Sequence, residues 1–237
     1  MLQASFDLRR PVAYLPPMIA SPAFNPFTIL LGGACFPTPR LLAQVKGTRV
    51  IAADGGMAHA KALGLAPELW VGDFDSTSPE LEAEYASTER LRFDVAKAKS
   101  DGELAIEAAT ARGANALVLV GALSGGRSDH QMMILTNAMA LAERGMPIIL
   151  TSGLEEATCI LPGEIRVDLP TNTVFSVIGL TDLAGLSLIN VRWPLSDHHV
   201  PFGSTLTLSN EATGNAPVTV TLQSGKAVMF SNFGTNV

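Results

Sequence analysis

Residues 51–80 read IAADGGMAHAKALGLAPELWVGDFDSTSPE, and they decide the fold class. The run RVIAAD that leads in is apolar up to Asp54, and Gly55-Gly56 then permits a tight turn into a helix expected over roughly 57–63. Leu69-Trp70-Val71 is a further buried strand, closed by Gly72. Asp73 and Asp75 therefore stand where a strand surfaces. In a chain of net charge −6, two carboxylates one residue apart repel each other unless a metal or basic groups answer them. Alternate residues of an extended segment point opposite ways, so a turn has to redirect one carboxylate if both are to reach one ion. Gly72 is expected to supply that turn, and Ser76 an oriented oxygen ligand.

The same alternation extends on both sides. FTILLGG is a short apolar strand closed by glycines, and Thr38-Pro39 and Ser78-Pro79 are cap-plus-proline helix starts. The second of these launches a helix to about Tyr85, with a strand at Leu91–Phe93 after it. Ser100-Asp101-Gly102-Glu103 and Ser128-Asp129-His130-Gln131 both read as capping boxes. Between those helices ALVLVGAL is an uninterrupted apolar strand, and PIILTS follows the second. Strands that are apolar throughout and alternate with helices predict a doubly wound α/β domain with a parallel sheet covered on both faces.

Near Thr151 the pattern changes. From Gly163 onward only short alternating or β-branched runs occur: TVFSVIGL, LSLINVRW, STLTLSN, PVTVTL and KAVMFSN. Their spacing predicts antiparallel strands in a small sandwich or barrel. The expected organisation is a proline-rich arm over 1–26, a catalytic α/β domain over 27–155 and an all-β sandwich domain over 160–237.

Composition narrows the function classes. Of the 237 residues, 47% are hydrophobic, enough for a packed core, and only 16% are charged. Without a basic face, neither nucleic acid nor an anionic membrane is expected as a partner. Cys35 and Cys159 have no ligand-like spacing, so a disulfide framework or zinc site is not expected and a reducing cytoplasm fits. Arg9-Arg10 precede an apolar run, but its prolines suit neither an export signal nor a spanning helix.

In an open parallel sheet, ligands gather at the carboxyl ends of the strands. Four polar clusters fall at such ends: Asp54-Gly55-Gly56, Gly72 to Ser76, Ser100-Asp101, and Ser124-Gly125-Gly126-Arg127-Ser128-Asp129-His130. Taken singly, Asp54 could be a turn residue, and Asp101 and Asp129 could be first-turn helix carboxylates. Together they suggest a magnesium site for a nucleotide's phosphates. Asp73, Asp75 and Asp101 are the hard oxygen ligands, Lys97 is a point charge, and Arg127 is a bidentate fork beside glycines that admit phosphate to the backbone.

Other residues carry weaker signals. His59 reads as helix surface, and Met132, Met133 and Met139 as packing against the sheet. His198-His199 read as solvent-facing in a polar loop. Trp193, before a proline near a strand end, suits either a core or a platform for a flat cationic ring.

With these residues laid out, the chain resembles the thiamine pyrophosphokinase family. The motifs are ADGG at 53–56, the segment from Pro67 to GDFDS at 72–76, SD at 100–101 for the family's TD, and GGRSDH at 125–130. RWPL at 192–195, LSN at 208–210 and LPGEI at 161–165 add to it. The resemblance implies a Rossmann-like catalytic domain followed by a β-sandwich, in a cytoplasmic homodimer with active sites between subunits. It implies transfer of the pyrophosphoryl group of ATP to thiamine, with Mg2+ on Asp73, Asp75 and Asp101. It places Lys97, Arg127 and Asp129 around the nucleotide phosphates, together with the GGRSDH loop of Gly125, Gly126 and His130, and with Gly55 and Ser76. It sets Trp193 and Ser209 near the thiamine rings and Asp54 at the substrate end of the cleft.

The chain departs from the family where Ala96 and Ala98 replace the acidic residues flanking Lys97, and where Ser100 replaces threonine. Two other readings compete: a related pyrophosphokinase acting on another alcohol, and a non-catalytic thiamine or nucleotide sensor.

Overall fold

A computed structural model describes residues 24–75, 77–93 and 99–234. Ser76, Lys97, Ala96, Ala98 and the arm before residue 24 lie outside the described residues. The chain divides into two compact units, with the boundary between Ala157 and Thr158.

In the first unit strands and helices alternate: β1 (Pro26–Leu30), α1 (Pro39–Val45), β2 (Arg49–Ala53), a 3-10 turn (Asp54–His59) running into α2 (Ala60–Leu63), β3 (Leu69–Gly72), α3 (Pro79–Glu84) and β4 (Glu89–Arg92). Then come α4 (Asp101–Ala111), β5 (Ala116–Val120), α5 (Ser128–Glu143) and β6 (Ile148–Thr151). The six strands are parallel, in the order β6-β5-β1-β2-β3-β4. β1 and β5 are buried at every position, as strands covered on both faces must be. The winding reverses between β1 and β5, the place where such sheets open a crevice at the carboxyl ends of their strands.

Local chemistry explains the helix starts. Thr38, Ser78 and Ser100 each accept a hydrogen bond from the backbone N–H three residues on, and Pro39 and Pro79 occupy first-turn positions. The box expected at Ser128 does not form. Ser128 is already inside α5, Arg127 stands at the cap position with no side-chain capping bond, and Gln131 Nε2 donates to Gly125 O at 3.0 Å instead. The helix expected over 57–63 begins as the tighter 3-10 turn, because Gly56 lies directly against the end of β1. A further strand, β7 (Glu155–Ile160), has no counterpart in the sequence reading and carries the chain across the boundary. Its buried Glu156 is gripped by Arg40, from Nε at 2.6 Å and Nη2 at 2.8 Å, and by Gln44 at 2.7 Å.

The second unit is antiparallel, and none of its described residues is helical. Its strands are β8 (Gly163–Val167), β9 (Val174–Gly179), β10 (Leu183–Ile189), β11 (Leu195–Val200), β12 (Asn210–Glu211), β13 (Val218–Leu222) and β14 (Ala227–Asn232). One set is ordered β12-β9-β14 and the other β11-β10-β13-β8. Ile165, Val167, Val218, Val220 and Leu222 from one set and Phe175, Val177, Ala227 and Met229 from the other feed a single core. The alternation is plain in β13, where Val218, Val220 and Leu222 point inward.

Two expectations change here. STLTLSN is largely turn, contributing only Asn210 to a strand. His198 and His199 are exposed as expected, but they lie in edge strand β11. Register shifts against β10 and a left-handed Asp197 (φ 53°) break that edge, a common protection against edge-to-edge pairing.

Candidate active site

At the carboxyl ends of β1, β2 and β5 a cleft of about 640 Å³ opens, where the winding reverses. Gly32, Gly33 and Gly121 line it. A Cβ on Gly33 would lie 2.2 Å from Gly121 O, and one on Gly121 would lie 2.3 Å from Leu31 O, so neither position admits a side chain. Leu31 N donates to Val120 O and Ala34 N to Ser124 O, both at 2.8 Å, stitching the loops after β1 and β5 together. His59, expected on the surface, donates from Nε2 to Gly33 O at 2.8 Å and fixes the same loop. Ser100 to Glu103 at the start of α4, and Arg127 and His130 at the start of α5, form further walls. Exposed N–H groups and the helix dipole make such ends favourable for anions.

The carboxylates stand beside this cradle. Asp54, which lines the cleft with Gly55, has left-handed backbone (φ 42°), and its carbonyl accepts the Trp70 indole N–H at 2.9 Å. Gly72 lies against it, since a Cβ there would sit 3.3 Å from Asp54 Cα. Asp54 Oδ1 is buried with no hydrogen-bond partner among the described residues. Burial pushes the Asp54 carboxyl above its ordinary range, and the charges of Asp101, Asp73 and Asp75 push the same way, against a backbone bond from Gly55. The four aspartates of the sequence clusters at 54, 73, 75 and 101 are therefore electrostatic neighbours.

Gly72 gives Asp54 room, but the turn expected of it is made by Phe74, at φ 64°. A phenylalanine in that conformation costs about 1–2 kcal/mol. Its ring is held inward, 5.0 Å from Trp70 in an edge-to-face contact, and Asp75 N donates to Asp73 Oδ1 at 3.2 Å. With Phe74 pinned in the core, Asp73 is left half-buried and Asp75 exposed. Strain of this kind tends to collect at functional sites.

Among the described residues, no three His, Cys, Asp or Glu side chains group tightly enough to hold a metal by themselves. That donor set still suits magnesium, which takes one or two carboxylates and completes its shell with water and phosphate oxygens. The unpartnered Asp54 oxygen and the mutual repulsion of the aspartates are features a cation would relieve.

Arg127 forks onto Asp129, Nε to Oδ1 at 2.9 Å and Nη2 to Oδ2 at 2.7 Å, with both side chains largely exposed. The guanidinium holds the Asp129 carboxyl well below the usual range. Gly125 and Gly126 precede the pair, and Gly126 has open space where a side chain would be. Met139 packs as expected, but Met132 and Met133 are exposed, and Met133 joins Ile134 and Asn137 on the cleft wall.

In the second unit Trp193 is 51% exposed, which removes the core reading. Asn210, buried and read in the sequence only as the end of the LSN motif, clamps its backbone: Trp193 N donates to Asn210 Oδ1 at 3.1 Å and Asn210 Nδ2 to Trp193 O at 2.8 Å. Arg192 stacks 4.7 Å above the indole and bonds Glu211 at 2.9 and 3.0 Å. Ser209, left-handed at φ 54°, precedes Asn210 and donates its N–H to Ser176 Oγ.

Two family patterns match the chain: "Thiamin pyrophosphokinase, catalytic domain" over residues 42–150 and "Thiamin pyrophosphokinase, vitamin B1 binding domain" over 164–227. The thiamine pyrophosphokinase of Bacillus subtilis is 27% identical over 165 residues, 68% of this chain and 77% of that one. A solved structure of thiamine pyrophosphokinase from Bacillus subtilis superposes with a TM-score of 0.78 at 24% identity, over 89% of this chain and 100% of that one. Another, from Geobacillus thermodenitrificans, gives 0.76 at 26% identity, over 89% and 99%. Asp54, Asp73, Asp75, Asp101 and Arg127 fall in the first matched pattern, and Trp193 and Ser209 in the second. The chain belongs to the thiamine pyrophosphokinase family.

Proposed function

We propose that this protein transfers the pyrophosphoryl group of ATP to the hydroxyethyl oxygen of thiamine, giving thiamine diphosphate and AMP. The observation that carries the reading is the gathering of Asp54, Asp73, Asp75 and Asp101 beside a glycine-lined cleft where the sheet reverses its winding. Asp73, Asp75 and Asp101 would hold magnesium, which would supply the positive charge that lets ATP's phosphates approach these carboxylates. The Rossmann-like domain over 27–155 binds the nucleotide, and the sandwich over 160–237 binds thiamine.

The remaining work is positioning and charge neutralisation. Backbone N–H groups around Gly125 and Gly126 and at the start of α5 receive phosphate oxygens, with Gly55 and His130 on the walls of the site. Arg127 uses two donor groups on Asp129, so Nη1 remains to meet the nucleotide, and Lys97 adds a second positive charge. Asp54 closes the substrate end of the cleft. The half-exposed indole of Trp193, whose backbone Asn210 fixes, gives the thiamine rings a platform, and Ser209 offers them a hydroxyl. The attacking alcohol loses its proton to Asp73 or Asp101 late in the transfer. The protein acts as a cytoplasmic homodimer. No helix among the described residues is long and apolar enough to cross a membrane.

The test is AMP formation from ATP, with and without thiamine and with and without magnesium. AMP should appear only with both. ADP as the product, or AMP released without thiamine, would overturn the proposal.

A further inference from the structure

Strand β4 presents two arginines on one face, two residues apart, and they differ in what their donors do. Arg90 lies 5.1 Å over the Trp70 ring and 5.5 Å over Phe74, and it donates to the Glu82 carboxylate at 3.4 Å and the Glu82 carbonyl at 3.1 Å. Arg92 lies 5.0 Å over the Phe74 ring, and among the described residues it has no hydrogen bond or ion pair. The other arginines of this unit whose partners are visible are engaged: Arg40 with Glu156, Arg49 with Glu68, Arg112 with Glu68 and Glu89, Arg127 with Asp129. Arg92 is exposed, and its backbone is the register partner of Gly72, the residue before Asp73.

An arginine beside two aspartates would ordinarily fork onto one of them. Here the guanidinium carbon lies over the ring of the residue between them, 5.0 Å from its centroid. A cation–π contact uses the charge of the group and spends none of its five N–H donors on a hydrogen bond. The side chain is thereby ordered in advance with its donors unspent. The ligand suited to planar, paired donors is a phosphate group, and one drawn to the neighbouring carboxylates by magnesium would arrive at this edge.

We propose that Arg92 is a phosphate-binding residue, stacked on Phe74 so that its fork meets the β- and γ-phosphate oxygens of ATP as they come to the Asp73–Asp75 loop. The inference rests on the reading of this protein as an ATP-dependent pyrophosphokinase and adds a cation to that site.

The test uses the full chain and its Arg92→Ala, Arg92→Lys and Arg92→Gln variants. A non-hydrolysable ATP analogue with magnesium, and AMP separately, are titrated into each by calorimetry, and KM values for ATP and thiamine are taken from AMP formation. Loss of a hydrogen bond to a charged group should weaken the analogue about tenfold in Arg92→Ala. AMP affinity, thiamine KM and melting temperature should stay unchanged, and lysine, lacking the fork, should restore affinity only in part. Wild-type analogue affinity in Arg92→Ala overturns the proposal, as does equal weakening of analogue and AMP. If the alanine variant does not fold, Arg92→Gln decides the same comparison. If wild-type protein binds the analogue but makes no thiamine diphosphate, the functional reading fails while the binding series still decides Arg92. If it binds no analogue, both fail.

Discussion

The loops after β1 and β5 press backbone against backbone so closely that Gly33 and Gly121 have no room for a methyl group. The loop after β3 is built the other way. It puts a phenylalanine into left-handed backbone, pins the ring on Trp70, and leaves one flanking carboxylate half-buried and the other exposed. The first side is neutral and rigid, a cradle made by packing. The second is charged and strained, built around one buried ring with a carboxylate on either side of it. Damage to the two sides should therefore look different: the glycine side should fail in stability and the carboxylate side in turnover.

The largest expected effect lies on the carboxylate side. Asp73→Ala should lower turnover on the order of 10²-fold or more, as the loss of one preorganised stabilising group does, while leaving the melting temperature intact. A wild-type rate of thiamine diphosphate formation in that variant would sink the metal reading.

Next comes Gly33→Ala. Its Cβ would meet a backbone oxygen at 2.2 Å, so the loops must part, at a cost of about 1–3 kcal/mol. Urea unfolding should show that loss, and an unchanged midpoint would mean that the cradle is not rigid.

The subtlest concerns Asp54. Its folded pKa is raised, so the folded protein binds a proton there more tightly than the unfolded chain does. The resulting stabilisation is complete below the unfolded value and is lost as pH rises through the folded one. In chelator at neutral pH, Asp54→Asn should melt above wild type, and the gap should close in the acid range below ordinary carboxylate titration. A variant that melts lower at neutral pH would show that the charged form is favoured and that the aspartates do not repel one another.

Much of this could be read in the sequence where the cause is local. Apolar runs became buried strands, and Thr38, Ser78 and Ser100 became caps, because strand burial and capping depend on a few adjacent residues. The Asp73–Asp75 pair was visible because its residues are neighbours in the chain. What escaped depends on distant partners. Nothing in FTILLGG says that β1 is central, and only that position turns Gly32 and Gly33 into cleft wall. His59 meets a carbonyl 26 residues away. A left-handed phenylalanine has no sequence signature, since Trp70 holds it there. β11 is polar because it is an edge strand, so LSDHHV resembles a loop until β10 is placed beside it. Asn210 gains its role only through its two bonds to Trp193.

The chain has two tryptophans, one in each unit. Trp70 is fully buried, with its indole N–H spent on the Asp54 carbonyl, whereas Trp193 stands half in solvent beneath a guanidinium. The protein thus carries two intrinsic fluorophores of opposite character, one blue-emitting and shielded from acrylamide, the other red-shifted and open to quenching. Melting of either unit can be followed by its own colour of light, without a label.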